Sequence, residues 1–363
     1  MRASVERGSE IVPRGSRKPA TPHMLRVYGA PRSIRVRHSI DAMQMASTAP
    51  TVSTTGFMLL HAAFAVIVGV QAVAVVRRVA LAKAWMAKPR EDRWHREPVA
   101  LHGGVGVLVA WLLSTVVLPS MPSAIDLSLA VAVLPSVVLL AVTGLVDDLR
   151  HLKPWTKLLW QVIAAAAVGW TLADARGLSL ADAGVIAAWG LIFCNSVNML
   201  DNMDGACATA AIPGFLGVAL VTGDPRVASI AGAAAGAMAA FWIWNRPRAR
   251  IFLGDAGALP IGLLLGALAA LVAIEFSPHH GEPWRSWTSW IVPALIGLPF
   301  MVDTGFVCVT RAARGQNPMI GGTDHLTHRA LRKGWSPWGV LAAIAALGAV
   351  GVALVRLSVL NWS

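Results

Sequence analysis

Long apolar runs that carry almost no charge recur through the sequence, and this repetition constrains the fold more than any other feature. Each run spans about 18–20 residues, the length at which a helix crosses roughly 30 Å of hydrocarbon. Charged residues make up only 14% of the 363 residues, whereas soluble domains carry about 25%. The runs lie at about 57–76, 99–118, 127–146, 155–173, 183–200, 206–222, 227–244, 256–274, 290–309 and 338–355. We therefore expect an all-α integral membrane protein, a polytopic bundle of about 10 or 11 transmembrane helices.

Lys and Arg are distributed unevenly between the two sides that alternate loops define. One side carries eighteen of these cations, and the opposite loops carry only Arg176, Arg226 and Arg285. An excess of cations in short loops marks the cytoplasmic side of a membrane. We expect a multi-pass protein of the bacterial cytoplasmic (inner) membrane with both termini outside. The net charge of +12 then reflects orientation in the bilayer, and we expect no nucleic-acid partner.

The first 55 residues differ from the rest of the chain. They contain nine Arg or Lys against three acidic residues and show no apolar period, a composition typical of disorder. We predict a disordered basic extension over residues 1–55, which is either native or the result of a later true start or a cloning remnant, and a membrane domain over residues 56–363.

Four polar clusters follow or precede the apolar runs, all on the predicted cytoplasmic side. Carboxylates beside hydrocarbon are costly and are commonly functional. Acidic side chains near His and Gly are typical of a metal-assisted site for a phosphorylated substrate, which we expect at the cytoplasmic face. The clusters are Asp147 and Asp148; Asn195, Asn198, Asp201 and Asp204; Phe252 with Asp255; and His325, His328 and Arg329.

Each cluster also has an ordinary structural explanation. The Asp147–Asp148 pair can begin a solvated loop, and the four polar residues from Asn195 can cap a helix and form a turn. Asp255 can be the N-cap of the helix that follows it. Asp303, inside the ninth run, is a functional candidate or the structural partner of Arg311 or another cation.

Taken in order, the clusters resemble those of the polyprenyl-phosphate N-acetylhexosamine-1-phosphate transferases, glycosyltransferase family 4. The family pattern H-x-x-P-x-P-x-x-G-G is matched by His95, Pro98, Gly103 and Gly104, with Ala100 for the second Pro. The segment N-x-x-N-x-x-D-G-x-D-G is matched from Asn195 to Gly205, with Asn202 in place of the first Gly. The paired aspartates, the G-D-x-G motif around Asp255 and the final D-H-x-x-H-R segment also match. The resemblance covers roughly residues 57–358.

The resemblance implies transfer of a sugar-1-phosphate, most simply N-acetylglucosamine-1-phosphate, from a UDP-N-acetylhexosamine to a polyprenyl phosphate such as undecaprenyl phosphate. This reaction releases UMP and initiates cell-envelope polysaccharide synthesis. It also implies Mg²⁺, with Mn²⁺ as a substitute, bound by Asp255 with Asp147 or Asp148. The implied catalytic residues are Asp147, Asp148, Asp255 and His325. The implied substrate-binding residues are His95, Asn195, Asn198, Asp201, Asp204, Arg250, Phe252, His328 and Arg329.

Other functions remain open at this point. The branch of the family that makes the peptidoglycan lipid precursor usually carries a run of His in the final cluster, and this chain does not. A secondary transporter would also place carboxylates in membrane helices, though nearer the midplane and with repeated halves. A relative that binds without turnover is a further alternative. Whether the protein assembles as a homodimer is also open.

Overall fold

The computed structural model describes residues 53–87, 98–118, 128–277, 282, 286–317 and 322–360. Twelve helices and one two-stranded ribbon are found in these ranges. In chain order the elements are α1 Thr54–Ala82, β1 Met86–Ala87, β2 Val99–Ala100, α2 Gly103–Val117, α3 Ser128–Arg150, α4 Pro154–Ala175, α5 Leu180–Leu200, α6 Ala206–Val221, α7 Pro225–Asn245, α8 Asp255–Glu275, α9 Thr288–Ile296, α10 Leu298–Ala312, α11 Leu326–Arg332 and α12 Pro337–Leu360.

The helical, multi-pass membrane architecture predicted from the sequence is confirmed, and each of the ten apolar runs coincides with a helix or with the α9–α10 pair. Seven of the described helices are long and apolar enough to cross a membrane, or eight if the α9–α10 pair, bent by 98°, forms one span. Helices α2 and α6 are shorter, at 15 and 16 residues. The expected 10 or 11 spans therefore stay a prediction. Of the predicted basic extension, only residues 53–55 lie within the described ranges, and α1 begins at Thr54.

Helix ends carry residues that satisfy the free backbone amides, which explains where the membrane helices begin. Ser53 accepts a hydrogen bond from Gly56 N at the start of α1. Ser179 and Asp182 form a capping box at the start of α5, and Asp224 accepts from Arg226 N at the start of α7. These bonds satisfy donors that have no partner within the helix.

Helix α8 is the centre of the bundle, and its residues from Ala256 to Ile274 are all buried. It packs against α5 and α3, and also contacts α2 and α9. Glycines allow this packing where backbones meet. A Cβ added to Gly144 of α3 would overlap the backbone of Asp255 and Ala256, and one added to Gly104 of α2 would overlap Gly257. Small residues at helix crossings are what packing in lipid favours.

The segment before α2 pairs with the segment before α8. Phe252 N donates to Ala100 O at 2.9 Å, Gly103 N donates to Phe252 O at 2.8 Å, and Gly104 N donates to Leu253 O at 2.9 Å. These bonds fix the loop from Ile251 to Gly254, which carries the predicted site residue Phe252 and leads into Asp255 at the start of α8.

An ion-pair network ties the helix ends together at the other end of the bundle. Arg176, which follows α4, pairs with Asp224 before α7 and with Glu275 at the end of α8. Thr222 Oγ1 donates to Glu275 Oε2 at 3.3 Å. The network joins three helices through side chains that are each less than one quarter exposed.

The approach of α3 to α8 predicts that Gly144→Ala destabilises the fold. The added methyl would meet backbone that cannot move freely, so we expect the free energy of unfolding to fall by about 1–3 kcal/mol. Thermal unfolding in detergent micelles measures this. Gly184→Ala is the matched control, because a Cβ there meets nothing within 4 Å and Ala favours helix. Equal melting temperatures for the two variants would show that the close approach of α3 to α8 does not require glycine at position 144.

Candidate functional site

A cavity of about 510 Å³ opens at the end of the bundle where α3, α5 and α7 end and α8 begins. This is the end that the charge distribution predicts to be cytoplasmic. Polar and apolar side chains both contribute to the wall. The lining residues are Leu101, Asp148, Asn198, Asp201, Asn202, Met203, Asp204, Asn245, Pro247, Arg248, Phe252, Gly254, Asp255, Leu331, Trp335 and Pro337. Residues from three of the four predicted clusters thus share one cavity.

Asp148 binds the first turn of α8. Its Oδ1 accepts from Asp255 N at 3.0 Å and its Oδ2 accepts from Ala256 N at 3.3 Å. Gly254 has φ 73°, and a Cβ there would meet the Asp148 carboxylate, so the turn before α8 depends on glycine. A carboxylate at a helix N-terminus is stabilised by the helix dipole, and Asp148 occupies that position at α8.

Lys157, near the start of α4, joins two of the predicted catalytic carboxylates. Its Nζ forms ion pairs with Asp255 Oδ2 and, at 3.1 Å, with Asp147 Oδ2. Asn198 completes the group when its amide is oriented to match its neighbours, because its Nδ2 then donates to Asp255 Oδ1 at 2.8 Å and its oxygen accepts from Lys157 Nζ at 3.2 Å. The side chains of Lys157, Asp147 and Asp255 are 16%, 16% and 20% exposed. The positive charge of the largely buried Lys157 is therefore shared between the carboxylates of Asp147 and Asp255.

The two neighbouring aspartates have different surroundings. Asp148 lines the cavity, whereas Asp147 does not, since its Oδ1 accepts from Leu152 N at 2.6 Å and its Oδ2 faces Lys157. Asp147 therefore holds the α3–α4 turn and Lys157 in place.

The cluster at the end of α5 divides between the cavity and a helix contact. Asn198, Asp201 and Asp204 line the cavity, and Asp204 Oδ2 accepts from Ala249 N at 2.9 Å. Asn195 instead donates to Gln161 Oε1 on α4 at 3.0 Å. Gly205, with φ 76°, is the N-cap of α6, and its N–H donates to Asn245 Oδ1 at 2.9 Å.

The loop between α7 and α8 places an aromatic ring and a cation at the cavity. Phe252 and Arg248 line it. Arg250, which the resemblance implies as a substrate-binding residue, lies outside the lining and faces Trp244, with its guanidinium carbon 6.0 Å from the ring centroid. The cation at the cavity in this loop is therefore Arg248, two residues earlier.

The final cluster lies on and before α11, beside the cavity. His325 Nδ1 lies 2.7 Å from Asp303 Oδ2, and His325 and His328 are both buried, with ring centroids 6.2 Å apart. Arg329 stacks on Phe306 at 4.7 Å and donates to Asp324 O at 3.0 Å. None of the three lines the cavity, whose wall here is Leu331 and Trp335.

The sequence offered Arg311 as a partner of Asp303, but the structure pairs each of them with a different residue. Asp303 pairs with His325, while Arg311 pairs with Asp324, its Nη2 at 2.5 Å from Oδ1. The hydrogen bond from Arg311 lowers the pKa of Asp324 to about 2, so this carboxylate stays ionised at physiological pH. His95 lies outside the described residues.

Three residues at or next to the cavity were not predicted as site residues. Lys157 lies near the start of the apolar run at 155–173 and counts among the cations of the predicted cytoplasmic side, and a cation inside an apolar run is the signal that sets it apart. Asn202 was noted only as a departure from the family pattern. His102, buried with φ 70°, lies 3.4 Å from Asp148 Oδ2 through its Nδ1.

The oxygen donors fit a magnesium ion that a substrate helps to hold. Within the described ranges, no three His, Cys, Asp or Glu side chains are grouped to bind a metal. Mg²⁺, however, usually binds one or two carboxylates together with substrate phosphates. Asp148 and Asp255 both line the cavity and have the required chemistry, whereas Asp147 lies outside the lining.

The Lys157 network predicts that Lys157→Met is strongly destabilising. Removing the cation leaves Asp147 and Asp255 facing each other with little solvent, a loss of about 3–5 kcal/mol. Chemical unfolding in detergent micelles measures it. Lys153→Met is the control, because Lys153 is exposed at the start of the same helix and surface changes stay within about 0.5 kcal/mol. Equal stability of the two variants would contradict the assigned role of Lys157.

Comparison with known proteins gives consistent results. A family model described as glycosyl transferase family 4 matches residues 130–273, from α3 to α8. A Streptomyces coelicolor protein named as a glycosyltransferase is 31% identical over 321 residues, which are 85% of this chain and 70% of that protein. Decaprenyl-phosphate N-acetylglucosaminephosphotransferase of Mycolicibacterium smegmatis is 28% identical over 300 residues, 72% of each chain.

A third relative represents another branch. Phospho-N-acetylmuramoyl-pentapeptide-transferase of Limosilactobacillus fermentum is 30% identical over 220 residues, which are 57% of this chain. This match spans 64% of that relative's length. The resemblance stated from the sequence motifs is confirmed by the family match and by the extent of the Streptomyces alignment: the chain belongs to glycosyl transferase family 4.

Proposed function

We propose that this protein transfers N-acetylhexosamine-1-phosphate, with N-acetylglucosamine-1-phosphate as the first candidate, from a UDP-sugar to a polyprenyl phosphate. The observation that carries the proposal is the cavity in which Asp148, Asp255 and Asn198 meet Phe252 and Arg248 at one end of a membrane bundle. The Mycolicibacterium relative's name supports the transferred group and the lipid class. The product would start a cell-envelope polysaccharide at the cytoplasmic face of the inner membrane.

The reaction joins two anions. A terminal oxygen of the lipid phosphate attacks the phosphorus that bears the sugar, a new P–O bond forms, and the P–O bond to UMP breaks. Because the lipid phosphate is already ionised near neutral pH, the chemistry requires charge neutralisation and alignment more than a strong base. Mg²⁺, held by Asp255 and Asp148 when bound, would supply positive charge at the diphosphate.

The residues around the cavity then have separate tasks. Phe252 offers a ring face on which a base can stack. Arg248 supplies a cation at the cavity wall. Lys157 and Asn198 hold the Asp255 carboxylate at both of its oxygens, which fixes its orientation before substrate arrives. Asp148 is held by the backbone amides of α8.

The peptidoglycan-precursor branch is the second candidate, because several relatives carry that name and match about half of this chain or more. The two functions differ in the donor: a UDP-N-acetylhexosamine in the first case and UDP-N-acetylmuramoyl-pentapeptide in the second. Both predict UMP release and a lipid-linked product, so a donor comparison separates them.

Purified protein in detergent with undecaprenyl phosphate, Mg²⁺ and radiolabelled UDP-N-acetylglucosamine should give labelled lipid and UMP. EDTA should abolish the label, and added Mg²⁺ or Mn²⁺ should restore it. Asp255→Asn should lower the rate by at least about 10²-fold, as loss of a transition-state contact does. Asp174→Asn, exposed near the opposite end of α4, should keep the wild-type rate.

The outcomes separate the alternatives. If labelled lipid forms only with UDP-N-acetylmuramoyl-pentapeptide as the donor, the protein belongs to the peptidoglycan-precursor branch. No label from any UDP-amino sugar, with folded protein, would exclude the transferase function and favour binding or transport. Full activity of Asp255→Asn would reject the catalytic role of this carboxylate. Activity resistant to EDTA would reject the requirement for a metal.

A further inference from the structure

Helix α11 is attached at its N-terminal end to two different parts of the bundle. On one side, the Asp303 carboxylate of α10 contacts His325 Nδ1 at 2.7 Å and accepts from Leu326 N at 2.8 Å. On the other side, Thr327 Oγ1 donates to Asn202 Oδ1 at 2.7 Å. Asn202 follows α5 in the turn that carries Asp201 and Asp204. The second attachment therefore joins α11 directly to the carboxylate turn of the cavity.

The Asn202 side chain is fixed by two hydrogen bonds. Its Nδ2 donates to Met199 O at 2.8 Å, within the last turn of α5, while its Oδ1 accepts from Thr327. The Met199 carbonyl can only accept a hydrogen bond, so the amide orientation is determined. Thr327 is 3% exposed and Asn202 is half-buried, and a hydrogen bond shielded from water that links segments distant in sequence constrains both.

The position of α11 determines part of the cavity wall. Leu331 of α11 and Trp335, three residues beyond its end, line the cavity, as do Asn202 and its neighbours Asp201 and Asp204. The Thr327–Asn202 bond therefore sets the separation between two sides of the same cavity. Asn202 is also the position at which this chain departs from the Gly of the resembled pattern, and glycine has no side chain to make such a bond.

We infer that Asn202 and Thr327 are positioning residues that hold α11 against the carboxylate turn and so fix the shape of the cavity between α11 and that turn. Neither residue is required to contact reacting atoms. This inference rests on the proposed function for its effect on catalysis, while the attachment itself can be tested without substrate.

The kinetic test uses variants that change one group at a time. Thr327→Val removes the hydroxyl with little change in shape, and Asn202→Ala removes the acceptor. Each should raise KM for the UDP-sugar by about three- to tenfold, the effect of one lost hydrogen bond, while kcat changes by less than about twofold. Thr327→Ser, which keeps the hydroxyl, should restore a KM near the wild-type value.

Coupling between the two residues is the more specific result. If the bond links them, the Thr327→Val, Asn202→Ala double variant should raise KM no further than the larger single effect. Thr310→Val is the matched control, because among the described residues the Thr310 hydroxyl bonds only within α10, to Phe306 O at 2.9 Å and Val307 O at 3.1 Å. Additive effects, or a KM for Thr327→Val equal to that of Thr310→Val, would overturn the inference.

Hydrogen exchange on substrate-free protein separates this inference from the proposed function. Amides of residues 326–332 should exchange faster in Thr327→Val and Asn202→Ala than in Thr310→Val, because the helix is held at one side only. An inactive wild type with this exchange pattern would reject the function and keep the attachment. An active wild type with unchanged exchange in all variants would reject the attachment alone.

Discussion

Negative charge at the edge of a hydrocarbon bundle requires a counter-charge, and the N-terminus of α8 is where this protein provides it. The Asp148 carboxylate accepts hydrogen bonds from two backbone amides of α8. Asp255, the first residue of that helix, forms an ion pair with Lys157 and a hydrogen bond with Asn198. The backbone amides belong to α8, the ammonium group to α4 and the amide side chain to α5, while Asp148 itself belongs to α3. The other parts of the site depend on this junction, because the same helices end or begin at the cavity.

The close packing of α8 is a condition for that junction. The backbone of α3 must approach α8 at Gly144, and that of α2 must approach it at Gly104, where no side chain fits. The loop before α8 is fixed in turn by its pairing with residues 100–104. Glycines that look like ordinary small residues in a membrane helix thus determine whether Asp148 can reach the first turn of α8.

Much of the architecture was predictable, because hydrocarbon imposes helix length and composition on any spanning segment. The grouping of Asp148, Asn198 and Asp255 was also predictable, since the apolar runs bring their polar ends to one side. The residue that each of these polar side chains contacts was not predictable from the sequence. Helical spacing puts Asn195 and Asn198 on one face of α5, yet Asn195 contacts Gln161 and Asn198 faces Lys157 and Asp255. The neighbouring helix at each level decides this, and the sequence of α5 does not contain that information.

Lys157 shows why the electrostatics of such a site follow from its three-dimensional arrangement. In the sequence it is one cation near a positively charged loop, whereas in the fold its ammonium group lies between Asp147 and Asp255. A diphosphate with Mg²⁺ would add both negative and positive charge close to this group. Since an ion held by two carboxylates competes with any metal for the same oxygens, Lys157 would lower the affinity of Asp255 for free Mg²⁺. Metal bound together with the diphosphate gains further oxygen ligands from the phosphates, so this arrangement favours metal binding with substrate over metal binding alone.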